Sequence, residues 1–320
     1  MELNEMLEQK VSEANNSVNY SELLFDLSIW EEAWKQRPRN PRYKKKSAPF
    51  ETEEAFDRWA RDYHRQSFTE EGKQRSERIM SWIENQGVDF SELSILDIGA
   101  ASGIFTIPFA ERGATVTAVE PSELLISLMK ETIPNTLASK IEIVPERFEE
   151  ISIQEKGWEQ KYDFAFASMC PAMSDWETVE QAILSARKYV YISAMAGPRV
   201  HTLIDELKEV LHVNPPYRSG DMGYIQQLLF LKGYAYTSLI TNEVNTIEMP
   251  VQQVVDHLQE WLNTYGLPTD TDSLYKAEHY IRSAYPDGVV NFLRGGRFGK
   301  ILIQLDQQNM KIVRKKEAKK

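Results

Sequence analysis

The chain is poor in cysteine, in positive charge and in long apolar runs. Cys170 is the single cysteine, so no internal disulfide forms, and this usage suits a reducing compartment. Lys and Arg number 37 against 48 Asp and Glu, a net charge of −11. A nucleic-acid partner calls for a basic stripe, and the two basic runs, 37–46 and 311–320, read instead as solvated surface. No apolar stretch approaches the length that spans a bilayer. The acidic opening MELNEMLEQK lacks the pattern of a signal peptide. The expectation is a cytoplasmic protein with neither a membrane nor a nucleic-acid partner. Histidines 64, 201, 212, 257 and 279 show no metal-binding spacing, so no metal site is expected. Nothing here determines oligomeric state, and homo-oligomerisation stays open.

Against these absences, a hydrophobic share of 42% with 11% aromatics supports a sizeable core. The most informative stretch is 94–121, SILDIGAASGIFTIPFAERGATVTAVEP. An apolar run through Ile95 and Leu96 ends at Asp97. A glycine-bracketed turn follows, Gly99-Ala100-Ala101-Ser102-Gly103, then a helical segment and an alternating strand, Thr115–Val119, closed by Glu120. A strand–loop–helix–strand unit with an acid at the tip of its second strand suits a nucleoside whose ribose hydroxyls need a carboxylate. The dinucleotide fingerprint needs glycines at 99, 101 and 104, and Ala101 and Ile104 fail it. A phosphate-cradling loop ending in Gly-Lys-Ser/Thr is also absent, since nothing basic follows Gly103 before Arg112.

The rest of the chain organises around that unit. Closely spaced prolines and like charges make 37–46 a linker. Phe56, Trp59 and Tyr63, then Ile79, Trp82 and Ile83, recur at helical spacing. Strands are expected near 94–98, 115–119, 141–144, 162–167 and 189–194, with helices near 103–112, 121–132 and 174–188. Pro121 suits a helix start, and Ser174-Asp175-Trp176-Glu177 matches a capping box. Such alternation implies a parallel sheet with crossover helices. Beyond 195, Pro215-Pro216 marks a loop, 221–232 a helix, 235–240 a strand and 299–305 a last strand. Val251, Val254, Val255, Leu258, Trp261 and Leu262 form one helical stripe, and Leu274, Ala277, Ile281 and Ala284 another. These are expected to pack as a cover on the body.

The pattern hydrophobic-x-Asp-x-Gly-x-x-x-Gly followed by Glu120 resembles the first motifs of class I S-adenosylmethionine-dependent methyltransferases. Phe25–Trp30, Trp34, the Trp59 region and Tyr162–Met173 extend the likeness, over about residues 25–200, to a prokaryotic group of small-molecule methyltransferase-like proteins. The resemblance implies an α/β fold: a Rossmann-like, mostly parallel seven-stranded sheet with flanking helices. An N-terminal helical extension over 1–85 would precede the S-adenosylmethionine-binding domain of 86–320, with a helical insertion near 250–286 before the last strand. It implies that S-adenosyl-L-methionine is the cofactor and S-adenosyl-L-homocysteine the product.

By the same resemblance Asp97 orders the cofactor amino group, the loop from Gly99 through Ala100, Ala101, Ser102 to Gly103 holds the methionyl part, and Glu120 takes the ribose hydroxyls beside Pro121. Glu146, Arg147 and Phe148 border adenine, with Phe148 equally placed for core. Ser168 lies where the family makes acceptor contacts. The segment Ser168-Met169-Cys170-Pro171 lacks the Asn/Asp-Pro-Pro-aromatic of base and glutamine N-methyltransferases. Tyr63 and His64, on a helix that would fold over the cofactor, and Cys170 are the catalytic candidates, although this chemistry requires no fixed base. The leading function is methyl transfer to a small-molecule acceptor by in-line displacement. The alternatives are an RNA or protein methyltransferase, or a non-catalytic S-adenosylmethionine-binding or interaction protein.

Overall fold

The computed structural model describes residues 23–37, 53–214 and 220–306. The Lys311–Lys320 tail, Pro215-Pro216 and all of the Arg37–Lys46 run except Arg37 lie outside these. The helices are α1 (Leu27–Gln36), α2 (Glu53–Ser67), α3 (Glu70–Asn85), α4 (Thr106–Glu111), α5 (Glu123–Thr132), α6 (Trp176–Ser185), α7 (Thr202–Val210), α8 (Met222–Leu231), α9 (Val251–Tyr265) and α10 (Thr271–Ala284). The strands are β1 (Ser94–Ile98), β2 (Thr115–Val119), β3 (Ile141–Val144), β4 (Tyr162–Ser168), β5 (Ala186–His201), β6 (Tyr236–Pro250) and β7 (Val289–Gln304).

The seven strands form one sheet in the order β3-β2-β1-β4-β5-β7-β6. The first four pairings, from β3 through to β5, are parallel. The end of β7 meets the starts of both β5 and β6: Leu305 N donates to Lys188 O at 2.8 Å and Gln304 N to Ala235 O at 2.9 Å. That contact pattern makes β7 the antiparallel member. A helix follows each of the first two strands, as parallel crossovers demand.

By their contacts the described residues divide into two compact units: 54–193 with 225–238 and 300–306, and 23–37 with 194–214, 220–224 and 239–299. The core of the first is aromatic. Phe90, Phe109, Phe164, Phe166 and Tyr191 are all buried, Phe166 stacks on Tyr191 at 4.7 Å and Phe90 meets Phe109 edge-on at 5.0 Å. Each such side chain contributes about 1.5–3 kcal/mol by leaving water.

In the second unit, Val254, Leu258 and Leu262 of α9 pack with Leu203, Ile204 and Leu207 of α7, Ala277 and Ile281 of α10, and Val290 and Phe292 of β7. Every residue of the two apolar stripes read from the sequence lies in or against this core except Ala284, which is exposed. α9 stops at Gly266, whose φ of 74° closes the helix in the left-handed region. Trp34 of α1 is fully buried in the same unit, parallel to Tyr224 at 6.1 Å, and its Nε1 donates to Asp221 at 3.2 Å. Arg37 pairs with that Asp221; this one described residue of the basic run holds a carboxylate.

Some boundaries differ from the sequence reading. β1 to β3 lie where expected. The helix expected over 174–188 ends at Ser185 because Ala186 already pairs with Tyr162 of β4. Its cap is Asp175, which accepts from Thr178 N at 3.0 Å, and not Ser174. α5 begins at Glu123 with Ser122 as its cap, which leaves Pro121 outside the first turn. β5, β6 and β7 all run far beyond their expected lengths. β5 and β7 carry glycines in their added lengths, β6 is mostly exposed, and an exposed strand lacks the apolar alternation that marks a half-buried one.

Candidate cofactor site at the carboxyl ends of β1, β2 and β4

The loop after β1 is built from backbone in unusual conformations. Gly99, Ala101 and Gly103 have φ of 71°, 50° and 88°, and for alanine the left-handed region is strained. Gly99 has a second constraint, since a Cβ there would come within 2.5 Å of Cys170 Sγ. The loop is tied to β2: Gly99 N and Ala100 N both donate to Val119 O, at 2.9 and 3.1 Å. Met169, at the end of β4, also has positive φ, 52°. Its N donates to Ser193 O and to Ser193 Oγ, and Ser168 Oγ lies 3.2 Å from the same hydroxyl. Strained residues thus gather where three strands end.

Glu120 braces this turn. Its Oε2 accepts from Ala101 N and its Oε1 from Ser122 N, both at 2.9 Å. It is 6% exposed; burial raises its carboxyl above the usual range, while the two backbone N–H groups and the Arg147 charge pull the other way. Each carboxylate oxygen accepts more than one hydrogen bond, so both remain able to take a hydroxyl.

Asp97 is 2% exposed. Thr106 Oγ1, at the start of α4, donates to its Oδ2 at 2.5 Å, the one hydrogen bond its side chain makes among the described residues. Burial pushes its carboxyl up to about 7, with Glu120 adding to the rise and Thr106 opposing it. Ser102 is fully buried, and its Oγ has no hydrogen-bond partner. A buried hydroxyl left so is costly and points to a group that completes it.

The structure brings Tyr63 to this place. It stacks on Trp59 at 5.3 Å, and its hydroxyl, whose proton is held chiefly by burial, lies within reach of the charges of Asp97 and Glu120, with Arg75 opposing. His64 packs on Phe68 at 4.9 Å instead, its Nδ1 buried without a partner. Cys170 sits against Gly99, but burial and the nearby Glu120, Glu149 and Asp97 push its thiol up to about 12. That setting opposes the thiolate a nucleophilic Cys170 would need. We expect iodoacetamide at pH 7.5 to alkylate Cys170 at least tenfold more slowly than a free cysteine of ordinary acidity; an equal rate would contradict that setting.

The segment after β3 is mixed. Glu146 pairs with Lys156 at 2.5 Å and Arg147 with Glu149 at 3.6 Å, while Phe148 is buried. Pro121 is exposed. Thr106, Ser122 and Ser193 escaped the sequence reading: a hydroxyl at a helix start or strand end carries no pattern until its partner is placed. Among the described residues no cluster of His, Cys, Asp and Glu is arranged to hold a metal ion, and no helix is long and apolar enough to cross a membrane.

Residues 52–190 match a family described as a methyltransferase domain. No curated protein matches the chain in sequence. Among solved structures the chain is similar to magnesium protoporphyrin IX methyltransferase from Synechocystis PCC 6803 with bound S-adenosylhomocysteine, at 17% identity over 60% of this chain and 89% of that one, TM-score 0.46. It is also similar to the YcgJ protein from Bacillus subtilis, at 12% identity over 72% and 98%, TM-score 0.46. A third is phosphoethanolamine N-methyltransferase 2 from Haemonchus contortus, at 14% identity over 76% and 59%, TM-score 0.41. Residues 52–190 are thus similar to a methyltransferase domain, set in a seven-stranded, mostly parallel sheet with β7 reversed.

Proposed function

We propose that the protein transfers the methyl group of S-adenosylmethionine to a small-molecule acceptor, with the cofactor held at the carboxyl ends of β1, β2 and β4. The observation that carries the cofactor placement is the convergence of Asp97, Glu120 and the partnerless buried Ser102 hydroxyl on one strained loop. Glu120 takes the ribose hydroxyls with the acceptor capacity its backbone bonds leave. Ser102 Oγ and the loop N–H groups face the methionyl carboxylate, and Asp97 faces the ammonium. Pro121, Glu146, Arg147 and Phe148 border the nucleoside, and Ser168 stands by the reacting end.

Bound S-adenosylmethionine supplies a methyl group already activated on a sulfonium. What remains for the chain is to align the partners and exclude water. Tyr63, hydroxyl protonated and ring braced by Trp59, presents a hydrogen-bond donor there. Tyr63→Phe is expected to lower kcat about tenfold with cofactor affinity changed less than threefold; an unchanged kcat would remove Tyr63 from the reaction.

The small-molecule reading is supported by the net charge of −11, which repels polyphosphate. The test is labelled S-adenosylmethionine with a cell extract divided into metabolites, RNA and protein. Label in the metabolite fraction supports the reading, and label in RNA or protein overturns it. Tight S-adenosylhomocysteine binding with no labelled product in any fraction would favour a non-catalytic role.

A further inference from the structure

Asp97 is a nearly buried carboxylic group, 2% exposed, with a neutral hydrogen-bonding neighbour and no cation acting on it. The Thr106 hydroxyl supplies its one hydrogen bond, which leaves Oδ1 without a donor among the described residues. The groups around it are Glu120 at the end of β2, Tyr63 from α2 and Cys170 after β4, each of which feels the Asp97 charge. Tyr63 and Cys170 are neutral, and Glu120 is a second acid. The nearby cations act elsewhere, Arg75 on Tyr63 and Arg147 on Glu120. An ionised Asp97 would therefore be a buried charge beside a like charge, which a carboxyl avoids by keeping its proton. The cofactor proposed above brings an ammonium group to this loop, and the countercharge then arrives with the ligand.

We infer that Asp97 holds a proton in the free protein and releases it when a ligand bearing an α-ammonium group enters the site. The O–H bond of the carboxyl breaks, its electron pair stays on the carboxylate, and the proton passes to solvent. Nothing is oxidised or reduced. The buried acid then acts as a selector: ligands with the ammonium gain a new ion pair, while nucleosides without it leave Asp97 neutral. Affinity for the amino-acid-bearing ligand rises with pH, because below the carboxyl's range binding must first displace the proton. With that range near 7, affinity increases about tenfold from pH 6 to pH 8, and about half a proton leaves per ligand at pH 7.

This inference rests on the cofactor reading, and the experiment separates the two. S-adenosylhomocysteine is titrated into the full-length protein by calorimetry at pH 6, 7 and 8, in buffers of low and high ionisation enthalpy. 5′-Methylthioadenosine, which has the nucleoside and sulfur but no ammonium, is the control ligand. Proton release with the first ligand and none with the second is the expected result. Asp97→Asn abolishes the release. Should that variant fail to fold, Thr106→Val retains the acid and removes its hydrogen-bond donor, which moves the rise in affinity to higher pH. Binding of S-adenosylhomocysteine without proton exchange, or equal release from Asp97→Asn, overturns the inference and leaves the cofactor site standing. No binding at any pH overturns both.

Discussion

Replacing Glu120 by alanine is expected to weaken S-adenosylhomocysteine binding about 100-fold, or about 3 kcal/mol. Two causes combine. The variant removes the acceptor for both ribose hydroxyls, and bonds to a charged acceptor are worth more than neutral ones. It also releases the N–H groups of Ala101 and Ser122, which Glu120 holds at 2.9 Å. The strained Ala101, with φ of 50°, then loses the bond that keeps its loop in shape. Glu120→Gln separates the two effects. A glutamine has one carbonyl oxygen and an NH2 group in place of two acceptors, so it keeps one backbone bond and loses the other, and a loss near tenfold is expected. Calorimetry measures both variants, and a circular dichroism melt shows whether the fold survives. An affinity for Glu120→Ala equal to that of the parent would defeat the cofactor placement.

The second large effect lies at His201, at the end of β5. Its ring is 2% exposed, stacked on Phe292 at 4.7 Å with the edges of Trp261 and Tyr265 at 5.0 and 5.4 Å. Neither ring nitrogen has a hydrogen-bond partner. Burial, aided by the Arg294 charge and opposed by Asp205, lowers its titration from the ordinary 6.5 to about 4. The unfolded chain binds the proton first, so stability falls as pH drops through 6.5 and levels off near 4. Above 6.5 both states are neutral and the group contributes no pH dependence. The full loss is about 3 kcal/mol, a large part of an ordinary domain's stability. Urea melts of the parent and of His201→Phe, compared at pH 7 and pH 4.5, isolate this contribution from every other titrating group. The parent is expected to lose more than 1 kcal/mol relative to the variant over that interval; parallel losses would show that His201 is solvated or partnered.

The comparison of sequence and structure turns on where information is local. Asp97, the glycine turn and Glu120 are readable because a strand, a tight turn and a second strand lie within one short stretch. The alternation of β1 to β4 is readable for the same reason: buried parallel strands write their own apolar runs. The last strand was expected over 299–305, and the full length of β7 was not legible. Val289–Gln304 pairs with β5 and β6, distant in sequence, and its glycines at 295 and 296 offer no strand signal. The stripes of α9 and α10 announced two helices, but their partner, α7, came from a segment with no distinguishing pattern.

Sequence alone determined the class of unit and the acid at each strand end, because turn residues and hydrophobic period are short-range properties; the methyl donor came from the family resemblance those residues carry. Tertiary structure decided what those residues do to one another. Burial beside Glu120, with only Thr106 for support, makes Asp97 a proton-holding acid. The backbone bonds of Ala101 and Ser122 make Glu120 a brace as well as an acceptor. Acidic neighbours and desolvation keep Cys170 a thiol, and an aromatic enclosure strips His201 of its proton. Charge state depends on solvent exclusion and on neighbours distant along the chain, and those exist only once the chain has folded.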